Sequence, residues 1–259
     1  MPVYGLIGFP LLHSFSKDYF TTKFKKNGID AEYVNFEIED IPPKSDFIDI
    51  FSKHLACLNH PYFIDDLKGF NVTIPHKRNI IPLLNEISKE ALAIGAVNTV
   101  KITLQNGEIH LSGHNTDIVG FSTSIQPLLK SHHTNALIFG TGGASAAIEY
   151  ALKQIGIHTN FVSRDKNRAK LTYSDINKQI IAEHKILINC TPLGTFPNVN
   201  SCIDIPYQHI TPKHLAYDLV YNPAKTLFLN RCEQQGATIK NGAEMLTIQA
   251  EESWKIWNN

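Results

Sequence analysis

No run of apolar residues approaches the ~18 that a membrane helix needs, so no spanning segment is expected. Charge of one sign is not in surplus either: 24 basic residues balance 24 acidic ones. Nucleic acid is therefore not an expected partner, because binding it calls for a basic excess. Cysteine is scarce. The four present, Cys57, Cys190, Cys202 and Cys232, include no Cys-x-x-Cys pair, which points to buried or reduced thiols and a cytoplasmic setting. The 12 histidines contain no His-Glu-x-x-His spacing, so a metal site is not expected. Met1–Phe9 lacks a basic stretch followed by a long apolar run, so it does not read as a secretory leader.

What is present is an ordinary interior. Hydrophobic residues make up 43% and charged residues 19% of 259, enough for one large domain or two modest ones. Val3–Gly8 reads as a buried strand, Ser16–Asn27 as a helix stopped by Gly28, and Ala31–Ile38 as an alternating strand. Phe47–Leu58 has helical spacing, Asn71–Ile74 is strand-like up to Pro75, and Ile80–Leu84 opens a further helix. Val97–Leu104 and Glu108–Leu111 flank Asn106-Gly107, a type I′ hairpin signal. This first unit is predicted to be α/β with a mixed sheet whose antiparallel part forms its edge.

After Asp117 the pattern restarts. Ile118–Leu129 reads as a helix, Ser131–Asn135 as a linker and Ala136–Phe139 as a strand. Gly143–Ile155 then reads as a helix ended by Gly156. Strands follow at His158–Val162, Ile186–Asn189 and Leu215–Leu219, and Ala243–Trp257 has the spacing of a last helix that returns to the first unit. The expected fold is thus two α/β domains. Residues 1–116 with 239–259 would form a substrate-binding domain, and 117–238 a Rossmann-like nucleotide-binding domain.

The run Gly140-Thr141-Gly142-Gly143-Ala144-Ser145 joins a strand to a helix. Glycines there let backbone N–H groups approach a pyrophosphate at the helix N-terminus. Ser145 fills the third glycine place, and a plain tight turn is the alternative reading. The next strand end, Ser163-Arg164-Asp165-Lys166-Asn167-Arg168, should meet the adenosine ribose. Arg164, Lys166 and Arg168 favour a 2′-phosphate and hence NADP; Asp165 favours NAD.

Two polar segments end apolar runs: Gly69–Lys77, reading Gly-Phe-Asn-Val-Thr-Ile-Pro-His-Lys, and Gly113–Asp117, reading Gly-His-Asn-Thr-Asp. A lysine and an aspartate beside a dinucleotide turn point to hydride transfer with a polyhydroxylated molecule. In isolation either residue is more often a surface charge, and Ser14-x-Ser16 before a helix is more often capping chemistry.

Together these segments resemble the shikimate dehydrogenase family, the NADP-dependent shikimate/quinate dehydrogenases of aromatic amino-acid and chorismate biosynthesis. The resemblance runs through Gly8–Ser16, Asn71–Lys77, Ala96–Thr99, Gly113–Asp117 and the glycine turn. It continues through Asn189–Gly194, Asp218–Pro223, Asn241–Leu246 and Gln249. It implies reversible reduction of 3-dehydroshikimate to shikimate with NADPH. Lys77 would be the donor to the carbonyl oxygen, and Asp117 would bind a neighbouring hydroxyl and hold the lysine. It assigns Ser14 and Ser16 to the substrate carboxylate, and Thr73, Asn98, Tyr221 and Gln249 to the ring hydroxyls and carboxylate. Gly140, Thr141, Gly142, Gly143, Ala144, Ser163, Arg164 and Arg168 would bind the cofactor, with Leu219 and Gly242 lining its nicotinamide end. Trp254 and Trp257 are assigned to the core. The site would lie in a cleft between the two domains that closes to exclude water, in a monomer or a homodimer.

Some positions depart from the pattern. Lys17 replaces a usual proline, Ser163 and Asp165 stand where Asn-Arg-Thr is common, and the short stretch from Arg168 to Asn189 implies a truncated crossover helix. The rival readings are an NAD-preferring quinate/shikimate dehydrogenase and a non-catalytic ligand-binding homologue.

Overall fold

The computed structural model describes residues 1–11, 14–57 and 66–259, with the side chains of 52 and 54–57 left out. Leu12 and His13 of the first motif, and Leu58 at the end of the expected second helix, lie outside the described residues, as does the Cys57 side chain. The chain divides into two units, Met1–Thr116 with Gln249–Asn259, and Asp117–Ile248.

The first unit is built on β1 (Val3–Gly8), α1 (Phe15–Asn27), β2 (Glu32–Glu37), α2 (Lys44–Cys57) and β3 (Leu67–Val72). It continues with β4 (Glu86–Ile87), α3 (Lys89–Ile94), β5 (Thr99–Gln105) and β6 (Glu108–His114). The strand order is β2-β1-β3-β5-β6-β4. Only β5 is reversed, antiparallel to both β3 and β6. The antiparallel strand is therefore internal, and the edge expected to be antiparallel is instead closed by the short β4, parallel to β6. Asn106 (φ 55) and Gly107 (φ 83) make the predicted hairpin turn, both in the left-handed region that a type I′ turn requires.

Several boundaries differ from the sequence reading for local reasons. Ile80–Leu84 makes only a 3₁₀ turn, Ile81–Leu83, containing Pro82, before the Asn85 N–H bonds Leu111 O and starts β4. The strand expected at Asn71–Ile74 starts earlier and ends at Val72, and Ile74 is 73% exposed. α3 was not foreseen; Ser88 caps it by accepting from Ala91 N at 3.2 Å.

The second unit contains α4 (Asp117–Ile125), β7 (Asn135–Phe139), α5 (Gly143–Gln154), β8 (His158–Ser163), β9 (Leu171–Thr172) and α6 (Lys178–Glu183). It is completed by β10 (Ile186–Asn189), β11 (Leu215–Asp218), α7 (Leu227–Gln234) and β12 (Thr238–Lys240). Its sheet is parallel throughout, in the order β12-β11-β10-β7-β8-β9. That is the doubly wound arrangement, whose strand order reverses between β7 and β10. α4 gives way to a 3₁₀ turn, Gln126–Leu128, at Pro127. Between β8 and β9 the chain makes only turns, and α6 is short, which fits the truncated crossover.

The last helix, α8 (Ala243–Asn258), contributes its residues from Gln249 on to the first unit. Residues 239–248, expected with the first unit, belong to the second. β12 pairs with β11 there, and Met245 is buried among Phe121, Ile138 and Tyr217. In the first unit Trp257 and Trp254 pack with Tyr4, Phe20, Phe24 and Tyr33, and Trp257 Nε1 donates to Val100 O at 3.0 Å. Aromatic groupings of this kind bury large areas and satisfy the indole N–H.

Candidate active site

In the first sheet, β1, β3 and β6 run the same way, and the reversed β5 starts where they end. The register aligns Leu6 with Asn71, Asn71 with Thr99, and Thr99 with His114. Every polar segment singled out in this unit therefore leaves or enters the sheet at one edge. Ser14 and Ser16 follow β1, Thr73 and Lys77 follow β3, Asn98 precedes β5, and Asn115–Thr116 follow β6.

Hydrogen bonds stitch these segments together. Val97 N–H donates to Lys77 O at 2.7 Å, and Asn115 Nδ2 donates to Ala96 O at 2.9 Å. Asn98 Oδ1 accepts from Thr116 N at 2.8 Å, while Asn98 Nδ2 donates to Gln249 Oε1 at 3.1 Å. Thr73 N–H donates to Ile7 O at 2.8 Å, tying the loop after β3 to β1. Lys77 and Thr73 are half-buried, whereas Asn98, Thr116 and Gln249 are buried. Asp117 is one peptide bond beyond Thr116, at the first position of α4, and is buried with 5% of its surface exposed.

Of the two serines in the Ser14-x-Ser16 run, the helix cap falls on Ser14. Ser14 Oγ accepts from Lys17 N at 3.1 Å, a bond of a type that contributes about 1 kcal/mol. Its O–H hydrogen stays free of that bond, so capping and anion binding are compatible. Ser16 is buried beside Tyr33, whose hydroxyl donates to Asn71 Oδ1 at 2.8 Å.

The parallel second sheet also gathers its motifs at one edge, the carboxyl ends of its strands. Gly140 follows β7 with φ 108, a conformation that favours glycine. An added Cβ would meet Cys190 O at 3.2 Å, because the turns after β7 and β10 touch at the reversal point. Gly142 begins α5 with no side-chain cap. The first turn of the helix, Gly143 and Ala144 included, thus keeps backbone N–H groups for an anion. Ser145 is fully buried in the third glycine place.

Arg168 Nη2 donates to Thr141 O at 3.4 Å, which sets the arginine beside the glycine turn. Ser163 Oγ accepts from Asp165 N at 3.1 Å, and Asp165 Oδ1 accepts from Asn167 N at 2.9 Å. One carboxylate oxygen of Asp165 is thereby engaged in its own turn. Arg164, Lys166 and Arg168 are exposed around it.

Leu219 and Gly242 are brought together. A Cβ on Gly242 would sit 2.2 Å from Leu219 O, so no larger residue fits without backbone movement. Leu219 and Tyr221 are half-buried on the loop after β11. That loop is anchored by Asp218, a residue given no role in the sequence reading. It is fully buried and accepts from Asn189 Nδ2 (2.9 Å), Val220 N (3.0 Å) and Thr226 Oγ1 (2.6 Å). Burial raises its pKa from 3.8 to about 6, against the lowering effect of these three donors. Burial also pushes the Cys190 thiol up, which favours its protonated form.

Residues 6–100 match the shikimate dehydrogenase substrate binding domain. The shikimate dehydrogenase (NADP(+)) of Staphylococcus haemolyticus is 37% identical, over 98% of this chain and 91% of its own length. The chain belongs to the shikimate dehydrogenase family.

Among solved structures, shikimate dehydrogenase from Aquifex aeolicus is 32% identical with a TM-score of 0.79, covering 100% of this chain and 92% of that one. Quinate dehydrogenase from Corynebacterium glutamicum, in complex with NAD, is 25% identical with a TM-score of 0.81, covering 99% and 93%. Both units of this family member thus lie within the similarity. The buried polar residues Tyr33, Asn71, Thr99, Thr116 and Ser253, which surround Asn98 and Gln249, were given no role in the sequence reading. Asn71 left a trace, a lone amide between the apolar Phe70 and Val72.

Among the described residues no group of three or more His, Cys, Asp or Glu side chains could hold a metal. None of the described helices is long and apolar enough to cross a membrane.

Proposed function

We propose that the protein catalyses the reversible NADP-dependent interconversion of 3-dehydroshikimate and shikimate, the reaction for which its relatives are named. The observation that carries this reading is the stitched edge of the first sheet. There the Lys77 segment, Asn98, Thr116 and Gln249 are held by direct hydrogen bonds, and Asp117 is the next residue along.

The residues of the second sheet edge fit a dinucleotide. The positive-φ turn at Gly140, the uncapped start of α5, and the close approach of Gly242 to Leu219 O are compatible with a nucleotide bound along this edge. Gly140, Thr141, Gly142, Gly143 and Ala144 would hold the pyrophosphate. Ser163, Arg164 and Arg168 would hold the adenosine 2′-phosphate, and Leu219 and Gly242 would flank the nicotinamide. When bound, the cofactor supplies or accepts the hydride.

The chain's own groups do the rest. As negative charge grows on the substrate carbonyl oxygen, the Lys77 ammonium stabilises it and delivers a proton, an effect of about 10²–10⁴-fold. Asp117 accepts a hydrogen bond from the neighbouring hydroxyl and keeps the lysine oriented. Ser14 and Ser16 donate to the substrate carboxylate, and Thr73, Asn98, Tyr221 and Gln249 serve the ring hydroxyls. A buried site that must pair these groups rejects analogues lacking them.

NADP is the preferred cofactor in this reading, because Arg164 and Arg168 supply positive charge while Asp165 is partly occupied in its own turn. An NAD-linked quinate activity is the second reading, favoured by the likeness to the NAD complex of quinate dehydrogenase. Steady-state rates with shikimate or quinate and NADP or NAD separate the two. The highest kcat/KM is expected for shikimate with NADP, and faster oxidation of quinate with NAD would reverse the assignment.

A further inference from the structure

We propose that Ser253 is a positioning residue for substrate recognition, acting through Gln249. It lies one turn beyond Gln249 on α8 and is fully buried. The inference rests on the shikimate reading above and adds a residue to it.

Ser253 Oγ is 2.8 Å from Thr99 Oγ1, 3.0 Å from Asn71 Nδ2, 3.3 Å from Thr116 Oγ1 and 2.9 Å from Gln249 O. A hydroxyl has one hydrogen and two lone pairs, so these four neighbours exceed what it can pair at once and leave none of its three positions unused. The orientation of Asn71 follows from chemistry. Its Nδ2 faces the carbonyl oxygen of Asn98 at 3.2 Å, which can only accept, and its Oδ1 takes the Tyr33 hydroxyl at 2.8 Å. Ser253 therefore ties the turn of α8 that carries Gln249 to β3 and β5, the strands that carry the polar edge.

The Gln249 side chain is fixed by the same network. Its Oε1 accepts from Asn98 Nδ2 at 3.1 Å, which turns its Nε2 hydrogens away from Asn98 and leaves them to donate to a substrate oxygen. Fully paired networks of this kind hold a side chain to one geometry, and small displacements of a binding group are expensive. Losing the Ser253 hydroxyl unties this turn of α8 from β3 and β5 without orphaning Asn71. The Asn71 amide keeps Asn98 O and Thr99 Oγ1 as acceptors.

The test compares Ser253→Ala, Gln249→Ala and the double variant with the wild-type enzyme. It measures KM for shikimate, KM for NADP, kcat and the thermal midpoint. Ser253→Ala is expected to raise KM for shikimate about five- to twenty-fold with kcat changed less than about twofold. KM for NADP and the thermal midpoint should stay near the wild-type values. In the Gln249→Ala background the same substitution should add almost nothing, because residues coupled through one network are not additive. Thr99→Val removes the hydroxyl on the other side of the 2.8 Å contact and should reproduce the split.

An unchanged KM for shikimate in an active enzyme would overturn the inference and leave the proposed function standing. Equal, additive losses in the single and double variants would also overturn it. A wild-type protein without shikimate oxidation would remove the function and this inference together.

Discussion

Asn98 Oδ1 accepts the backbone N–H of Thr116 at 2.8 Å, joining the start of β5 to the residue just before Asp117. The two residues are 18 positions apart and both are buried. A charge-free amide is well suited to this task, since it satisfies a buried backbone donor without burying an ion. A residue assigned to the substrate by the family resemblance thus also holds the end of the segment after β6.

Removal of the Lys77 ammonium should damage the chemical step more than binding. Lys77→Ala is expected to lower kcat by about 10²-fold or more while the protein stays folded. Stopped-flow or steady-state absorbance, alongside circular dichroism, checks both halves. A near-normal kcat would remove Lys77 from the mechanism.

Cofactor preference should follow the arginines. Arg168→Ala is expected to cut kcat/KM with NADP by about tenfold or more, the worth of a charge-assisted hydrogen bond. The value with NAD should change little, and measuring both cofactors on one preparation gives the ratio. Equal losses with the two would mean that Arg168 supports the glycine turn through Thr141 O and does not read a phosphate.

Two glycines should respond differently. Gly242→Ala places a methyl 2.2 Å from Leu219 O, and overpacking of this sort costs about 1–3 kcal/mol. A Cβ on Gly142 meets nothing within 4 Å, and its φ of −83 suits any residue. Gly142→Ala should therefore keep its melting temperature yet raise KM for NADP, while Gly242→Ala should lose both. Thermal denaturation and KM measurements on the pair distinguish the outcomes.

Asp218 should make folding stability depend on pH in a defined window. Its folded pKa, about 6, lies above the ordinary 3.8, so the folded state binds the proton more tightly. Its contribution is complete below about pH 4 and is lost as pH rises through about 6, amounting to roughly 2–3 kcal/mol. Asp218→Asn removes this dependence. Urea unfolding of both proteins between pH 4 and 7 should show the wild type losing ground to the variant as pH rises. Parallel curves would contradict the assignment.

Much of the second unit was readable because its strands are short apolar runs bounded by glycine or polar turns. Ala136–Phe139, Ile186–Asn189 and the glycine turn are of this kind. Strands of two or three residues, such as β4 and β12, carry no periodicity and could not be found. Pro82 and Pro127 shortened helices that hydrophobic spacing alone would have extended. Motif residues such as Lys77 and Asp117 stood out in their segments. Tyr33 and Ser253 did not, because a buried polar network joins positions far apart in sequence. No local spacing records that Asn71 meets Ser253.

Absorbance at the nicotinamide band, followed as purified protein meets shikimate and NADP, tests the proposed reaction most directly. A rise is expected that needs both compounds, is faster than with quinate or with NAD, and falls about 10²-fold in Lys77→Ala. No rise with shikimate and NADP, or a rise that survives loss of Lys77 undiminished, would contradict it.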